Sequence, residues 1–380
     1  MIYLDNSATT RPHQDVLETY TKVSYDYFGN PSSLHTLGME AEGLLTKARS
    51  AIADQLHVSA KEILFTSGGT EGNNLAIKGT AYHKKSRGRH LITTEVEHAS
   101  SYETYKELEA DGFEVTYLSV DSNGRVSLED VKKAIRKETI LVSIIHVNNE
   151  TGTIQPIEEI GQLLSHFPQV RFHVDDVQGI TKVPLNIKKA KIDLLTASAH
   201  KFHGVRGTGM LYVRNGVRLK PQIHGGVQEM EVRSGTEHVA GAVAMARALR
   251  MEMEKAQKEK SHLVKLHSKL IHSLPTIDGV TINSPLEKSA PHIINFSVES
   301  IKPEVLIQSL SAKKIYVSTK SACSSKLAEP SRVLLAMGKD SKAAGSAIRV
   351  SLSYETTEQE IDVFLRELKK IIPTLVGVRK

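Results

Sequence analysis

Four places in the chain combine residue types and spacing that can do chemistry. The first is Thr66-Ser67-Gly68-Gly69-Thr70-Glu71-Gly72-Asn73-Asn74-Leu75, a strand-like run, a glycine pair and a helix-like run. Glycines let the backbone approach an anion, the free N–H groups of a helix start point at it, and Thr70 adds a hydroxyl donor. Many strand-to-helix turns with Gly-Gly hold no ligand, so this segment alone decides nothing. The second is Ala197-Ser198-Ala199-His200-Lys201-Phe202-His203-Gly204. Lysine normally decorates exposed surfaces, whereas Lys201 sits among small residues just after a strand-like run, where α/β proteins place their ligands. An amine held partly away from water loses basicity and can form a Schiff base, although a plain surface-loop lysine is the rival reading. The third is Phe172-His173-Val174-Asp175-Asp176-Val177-Gln178, an apolar strand ending in carboxylates. A carboxylate there can keep a pyridine nitrogen protonated, as pyridoxal chemistry requires, or it can be a solvated strand end or a helix cap.

The fourth place is Cys323, the single cysteine of the chain, within Val317-Ser318-Thr319-Lys320-Ser321-Ala322-Cys323-Ser324-Ser325-Lys326-Leu327-Ala328-Glu329-Pro330. A free cysteine is usually a small buried hydrophobe, but this polar run offers almost nothing apolar to bury it with and reads as an exposed, mobile loop. Exposure beside Lys320 and Lys326 favours the reactive thiolate. One cysteine excludes an internal disulfide and any multi-cysteine metal cage within the chain.

The elements that must position these groups form an alternating pattern. From about residue 60 to 215, runs of strand length alternate with helical stretches: 62–66, 90–94, 113–117, 140–145, 171–174, 193–197 and 210–213. That alternation predicts an α/β fold with a mainly parallel sheet covered by helices. A long helical pattern follows from Val239 to about Ser273, then further strand candidates such as His292–Phe296, and an amphipathic helix from Glu358 to about Ile372. We expect a large domain over residues 15–255 and a smaller α/β domain built from 1–14 and 256–380, since 380 residues exceed what one core usually supports.

Bulk properties lie close to the average for soluble globular proteins. Hydrophobic residues make up 40% and charged residues 24%, enough apolar material for a sizeable core. No apolar run approaches membrane-spanning length, and Asp5 with its polar neighbours stands where a signal peptide needs hydrophobicity, so we expect a cytoplasmic protein without a membrane partner. The net charge of +6 is scattered; its densest cluster, Lys84 to Arg89, reads as a solvated loop rather than a nucleic-acid patch.

Taken in order, the motifs resemble the cysteine desulfurases among the class V aminotransferase-like pyridoxal-phosphate enzymes. Those that carry the resemblance include Tyr3-Leu4-Asp5-Asn6-Ser7-Ala8-Thr9-Thr10, Gly29-Asn30-Pro31-Ser32-Ser33, the Ser67 to Asn74 turn and Glu97-His98. Further along come Val147 to Gly152, His173-Val174-Asp175, Ser198-Ala199-His200-Lys201, Arg233-Ser234-Gly235-Thr236, Ser321 to Ser325 and Arg349-Val350-Ser351. The resemblance implies a fold-type I pyridoxal-phosphate transferase that takes sulfur from L-cysteine and releases alanine. Lys201 would carry pyridoxal 5′-phosphate as a Schiff base, Asp175 would face the ring nitrogen, Gln178 the ring hydroxyl, and His98 would stack on the ring. Gly69, Thr70, Ser198 and His200 would hold the phosphate, joined by Thr236 of the neighbouring subunit in a homodimer. Asn149 would lie beside cofactor and substrate, and Arg349 would pair with the substrate carboxylate.

The same resemblance implies that Lys201 removes the α-proton, His98 helps move protons, and the Cys323 thiolate takes the substrate sulfur as a persulfide. The long loop is similar to the desulfurase group whose cysteine travels to a separate acceptor, such as an iron-sulfur scaffold or a tRNA-thiolation enzyme; thiamine synthesis is a third destination. Departures from the family pattern are Thr319-Lys320, Asp176, Val205-Arg206, and Val227 with Met230-Glu231-Val232. They spare the chemical residues and bear on loop motion and on the acceptor. The rival readings are a selenocysteine lyase or aminotransferase on the same fold, a non-catalytic sulfur carrier, and a metal hydrolase on His200 and His203, for which no ligand set at metal spacing is visible.

Overall fold

The computed structural model describes residues 1–299, 301–319 and 329–377. Cys323, with Lys320 and Lys326, lies outside the described residues. Twelve strands occur among those described: β1 (Ile2–Tyr3), β2 (Ile63–Thr66), β3 (His90–Thr94), β4 (Glu114–Leu118), β5 (Thr139–Ile145), β6 (Arg171–Asp175), β7 (Leu194–Ser198), β8 (Gly209–Val213), β9 (Val280–Ile282), β10 (Ile293–Val298), β11 (Ile315–Tyr316) and β12 (Ala347–Ser351). Seven form one sheet in the order β2-β8-β7-β6-β5-β3-β4. Only β8 runs against its neighbours, so the sheet is mainly parallel, as the alternation predicts.

Helices cover both faces, and this explains the composition of the strands. Every residue of β3, β5 and β7 is buried, which is why these runs read as near-continuous apolar and β-branched stretches. The polar groups they bury are satisfied locally: His173 contacts Ser143 Oγ and Thr196 Oγ1 on the two adjoining strands, at 2.8 and 3.0 Å. The first predicted strand starts one residue late because Glu62 is drawn into a capped turn, its carboxylate accepting from Ser59 N at 2.8 Å. The third begins after Phe113, since Gly112, at φ +81°, closes the preceding helix and Phe113 N–H bonds back to Leu108 O.

Buried apolar side chains gather in two main clusters. One contains Val142, Ile144, Phe172 and Val174 from the large sheet with Met245 and Leu249. The other contains Leu4, Leu263, Leu270, Phe296, Ile348, Val350 and Phe364 around the antiparallel sheet β12-β10-β9. At about 1.5–3 kcal/mol per fully buried large side chain, each is a substantial source of stability. The helix Val239–Ser273 is continuous over 35 residues and contributes to both clusters. Among the described residues no helix is long and apolar enough to cross a membrane.

Candidate functional site

Parallel strands deliver their carboxyl ends to one edge of a sheet, and there α/β proteins open their crevices. Here Ile145 ends β5, Asp175 ends β6 and Ser198 ends β7, with Ile145 in register with Asp175. All three line one cavity. The same cavity is lined by Gly69, Thr70, His98, Asn149, Gln178, His200, Lys201 and Arg349. The predicted site residues thus converge, apart from Thr236, which is exposed elsewhere, and Cys323, outside the described residues.

One wall is built for an anion. The 16-residue helix Gly69–Lys84 begins at the cavity, capped by Gly68 at φ +152°, a conformation that suits glycine. A Cβ on Gly69 would stand 2.9 Å from Val177 Cγ2, so the close approach depends on its absence. Facing this helix start, the buried Ser198 hydroxyl has no partner, although it lines the cavity. A buried hydroxyl without a partner is costly unless a ligand completes it. His200 stands beside it, its Nδ1 3.1 Å from Thr9 Oγ1; burial, with Lys201 and Arg206 nearby, pushes its imidazole down to about 4, so it stays neutral.

Opposite, Asp175 is held in one orientation. Its Oδ2 accepts from Asn73 Nδ2 at 2.7 Å and its Oδ1 from Val177 N at 3.0 Å. Asn73 also donates to Ser100 Oγ, which leads to His98. Because His98 Nδ1 accepts from Ser100 N at 3.1 Å, the ring proton belongs on Nε2. Burial holds this imidazole below its usual value, against the pull of Asp175. Asp176, by contrast, turns out of the cavity into a buried pair with His146 Nδ1 at 2.6 Å. That neighbour of Asp175 is therefore a packing feature and no part of the site.

Lys201 extends into the cavity and donates to the carbonyls of Ser7 and Ala8 at 2.5 and 2.9 Å. Gln178 Nε2 reaches the same Ser7 carbonyl at 2.9 Å. The amino-terminal segment is thus a strap across the lysine. Arg349, on β12, is almost wholly buried; Nη1 donates to Asn149 O at 2.8 Å and Nη2 pairs with Asp5 Oδ1 at 3.0 Å, while Nε has no partner. Its place on the cavity wall leaves donor capacity for a carboxylate. Burial raises the Asp5 carboxyl above its usual range, and Arg349 only partly counters this.

Several functional contacts escape a reading of single motifs. Asn73, Ser7 and Ala8 stand inside motifs visible in the sequence and Ser100 two residues beyond one, yet only the fold brings them to the cavity. Arg332 has no motif: it donates to the carbonyls of Glu95 and Glu97 and lies 3.9 Å over the Tyr102 ring. It therefore fixes the chain close to His98. Ser318, on the other side of residues 320–328, exchanges backbone bonds with Arg349, and Ser331 Oγ donates to Glu150 Oε2 at 2.5 Å. His203 does not join His200 as a metal ligand; it packs away from the cavity against His13.

The profile of the class-V aminotransferase family matches residues 2–364. A NifS/IcsS protein homolog of Lactobacillus delbrueckii subsp. bulgaricus is 48% identical over 98% of this chain and 97% of its own length. A cysteine desulfurase IscS of Clostridium botulinum is 44% identical over 98% and 94%. Among solved structures, a NifS-like protein superposes with a TM-score of 0.93 at 42% identity, covering 98% of this chain and 99% of its own. SspA in complex with cysteine superposes with a TM-score of 0.82 at 34% identity over 94% and 100%.

Proposed function

The chain belongs to the class-V aminotransferase family, and from that premise we propose that it is a cysteine desulfurase, taking sulfur from L-cysteine with pyridoxal 5′-phosphate held on Lys201. One observation carries the reading: Lys201 Nζ, the Asp175 carboxylate, an open helix start and an unpartnered buried hydroxyl, Ser198 Oγ, meet in a single cavity. These groups fit the cofactor. Gly69, Thr70, Ser198 and His200 would take its phosphate, Asp175 its ring nitrogen, Gln178 its ring hydroxyl, and His98 and Asn149 would flank it. Bound there, the cofactor supplies an electron-withdrawing ring that stabilises negative charge at an amino-acid α-carbon.

The protein's own groups do the rest. Arg349 takes the substrate carboxylate with the Nε that is otherwise unpartnered. Lys201 Nζ removes the α-proton, and His98, with its proton on Nε2, passes protons within the cavity. The Cys323 thiolate attacks the substrate sulfur; an S–S bond forms as the C–S bond breaks, alanine leaves, and the sulfur remains as a persulfide. Cys323 follows Ser318 by five residues, a tether of at most about 18 Å, and Ser318 is bonded to Arg349 on the cavity wall. That short tether supports the assignment of the nucleophile.

We further propose a cytoplasmic homodimer that delivers sulfur to an acceptor protein of iron-sulfur assembly or tRNA thiolation, with Thr236 completing the partner's phosphate site. The division into residues 15–255 and 1–14 with 256–380 belongs to the same reading. The deciding experiment is mass spectrometry of the purified protein after exposure to L-cysteine, beside borohydride trapping of the cofactor. A sulfur-sized adduct on Cys323, its absence in Cys323→Ala, and label on Lys201 are expected. Full alanine release by Cys323→Ala, or label on another lysine, would overturn the assignment.

A further inference from the structure

Behind Lys201, on the side away from the cavity, lies a charged cluster, buried except at Glu355, that the proposed reaction does not use. His13 and His203 stack with ring centroids 4.4 Å apart and planes inclined by 10°. His13 Nε2 lies 3.0 Å from Glu252 Oε1 and its Nδ1 lies 3.3 Å from Glu355 Oε1. Ionised carboxylates only accept hydrogen bonds, so a histidine with one at each nitrogen is suited to carrying both ring protons. His203 is the opposite case: its Nδ1 donates to Arg11 O at 2.8 Å and its buried Nε2 has no partner, the arrangement of a neutral ring. Three donors of His13, His203 and Glu252 lie within 4.8 Å of one another. The rings nonetheless stack, so their in-plane lone pairs lie in nearly parallel planes, and Lys182 Nζ already holds Glu252 at 2.7 Å, an arrangement that suits a clamp better than a metal site.

What the clamp grips is the strap over Lys201. His13 N–H donates to His203 O, Thr10 N–H to His200 O at 2.8 Å, and Thr10 Oγ1 accepts from His203 N at 2.7 Å. His203 itself sits at φ +60°, a conformation unfavourable for a residue with a side chain and sustained only by surrounding contacts. The strap carbonyls of Ser7 and Ala8 are those that receive Lys201 Nζ. A second cleft, lined by Thr10, Arg11, His203, Arg206 and Glu355, opens on the far side of the strap and leads solvent to the cluster.

We propose that His13 and His203 are positioning residues for Lys201: the proton shared by His13 with Glu252 and Glu355 ties the strap to the long helix and to the turn after β12, which holds His13 stacked on His203 of the lysine loop, and its loss to solvent slackens the strap. The charges facing His13 come from every side: Glu252 and Lys255 from the long helix, Glu355 from the turn after β12, Lys182 from the loop after β6. Lys182 is itself enclosed by the Tyr354 ring at 4.2 Å. Burial tends to lower the His13 imidazole, but the two carboxylates outweigh it and raise it above its usual value. The clamp is therefore complete below about 6.5, the usual histidine value, and is lost as pH rises through the higher value of the folded protein.

The test rests on Lys201 being the cofactor lysine, so borohydride trapping on the wild type comes first; failure there sinks the functional reading and leaves the clamp to be judged on its own. Hydrogen–deuterium exchange of the holoenzyme is then followed at pH 6 and pH 9, corrected for intrinsic exchange. The strap amides of residues 7–13 should open about fivefold more readily at pH 9, and His13→Gln should erase that difference. The pH midpoint of the bound cofactor's absorbance should move in the same variant, a change that loosened packing elsewhere would not produce. Should His13→Gln fail to fold, His203→Phe keeps the ring stack, removes the Nδ1 donor to Arg11 O, and should loosen the strap at both pH values. Equal corrected protection of the wild type at pH 6 and 9, or an unaltered strap in both variants, would overturn the inference.

Discussion

Glu97, buried, and His98, half-buried on the cavity wall, are adjacent in the chain, yet they depart from ordinary behaviour in opposite directions. Burial pushes the Glu97 carboxyl up to about 8, although Oε1 accepts from Thr94 Oγ1 at 2.7 Å and from Ile145 N at 3.1 Å. Between its ordinary value and 8 the folded chain holds a proton that the unfolded chain has released. Stability from this group is thus present in acid and declines with rising pH by at most about 1.4 kcal/mol per unit, levelling off above 8. Glu97→Gln, which does not titrate, should gain relative to wild type in urea unfolding from pH 5 to 8 and gain nothing more beyond. A constant difference across that range would show that Glu97 is ionised throughout. At this scale, Lys201, Asp175 and the Gly68-Gly69 pair were legible because each is an anomalous residue type for its local pattern. Glu97 as a proton holder, Asn73 as the partner of Asp175, and Arg332 were not: their roles arise from contacts such as Arg332 to Glu95, 237 positions apart, which local pattern does not encode.

The helix Gly69–Lys84 owes its place at the cavity to β2, whose carboxyl end leads into it on the same edge as β6 and β7. Its first turn works as an anion site only while the backbone stays bare. Gly69→Ala forces its new methyl against Val177, which also lines the cavity. Cofactor affinity should fall about tenfold with little change in folding, because the substitution is compatible with a helix start and acts on the bound phosphate. Titration of the stripped protein with pyridoxal phosphate, followed by absorbance, measures this; unchanged affinity would place the phosphate elsewhere. Elements were read well where burial on both faces made strands uniformly apolar, as in β5, and where apolar periodicity held over many turns, as in Val239–Ser273. The reversed direction of β8 was not readable, since Met210-Leu211-Tyr212-Val213 has the same composition as its parallel neighbours and direction depends on the route of the chain.

Across the whole molecule, apolar side chains are left uncovered at one corner: Tyr25, Phe28, Leu34 and Met39 are exposed around the connection between helices Gln14–Asp26 and Thr36–Leu56, Leu34 at 97%. Such a concentration of exposed apolar side chains suits a second subunit. On the proposed homodimer, the paired change Phe28→Asp with Leu34→Asp should yield a monomer in light scattering and abolish most activity, since the proposed completion of a neighbour's site by Thr236 would be lost. A dimer of undiminished activity would assign the corner another purpose. The single helix Val239–Ser273 has its own consequence. At about 52 Å it is a beam embedded at each end in a different mass of apolar packing. Melting either mass strips one half of the beam of its support, and most of a helix's stability in a protein comes from such packing. Heat should therefore dismantle the protein in one calorimetric peak, with no half-melted plateau in which one lobe outlives the other.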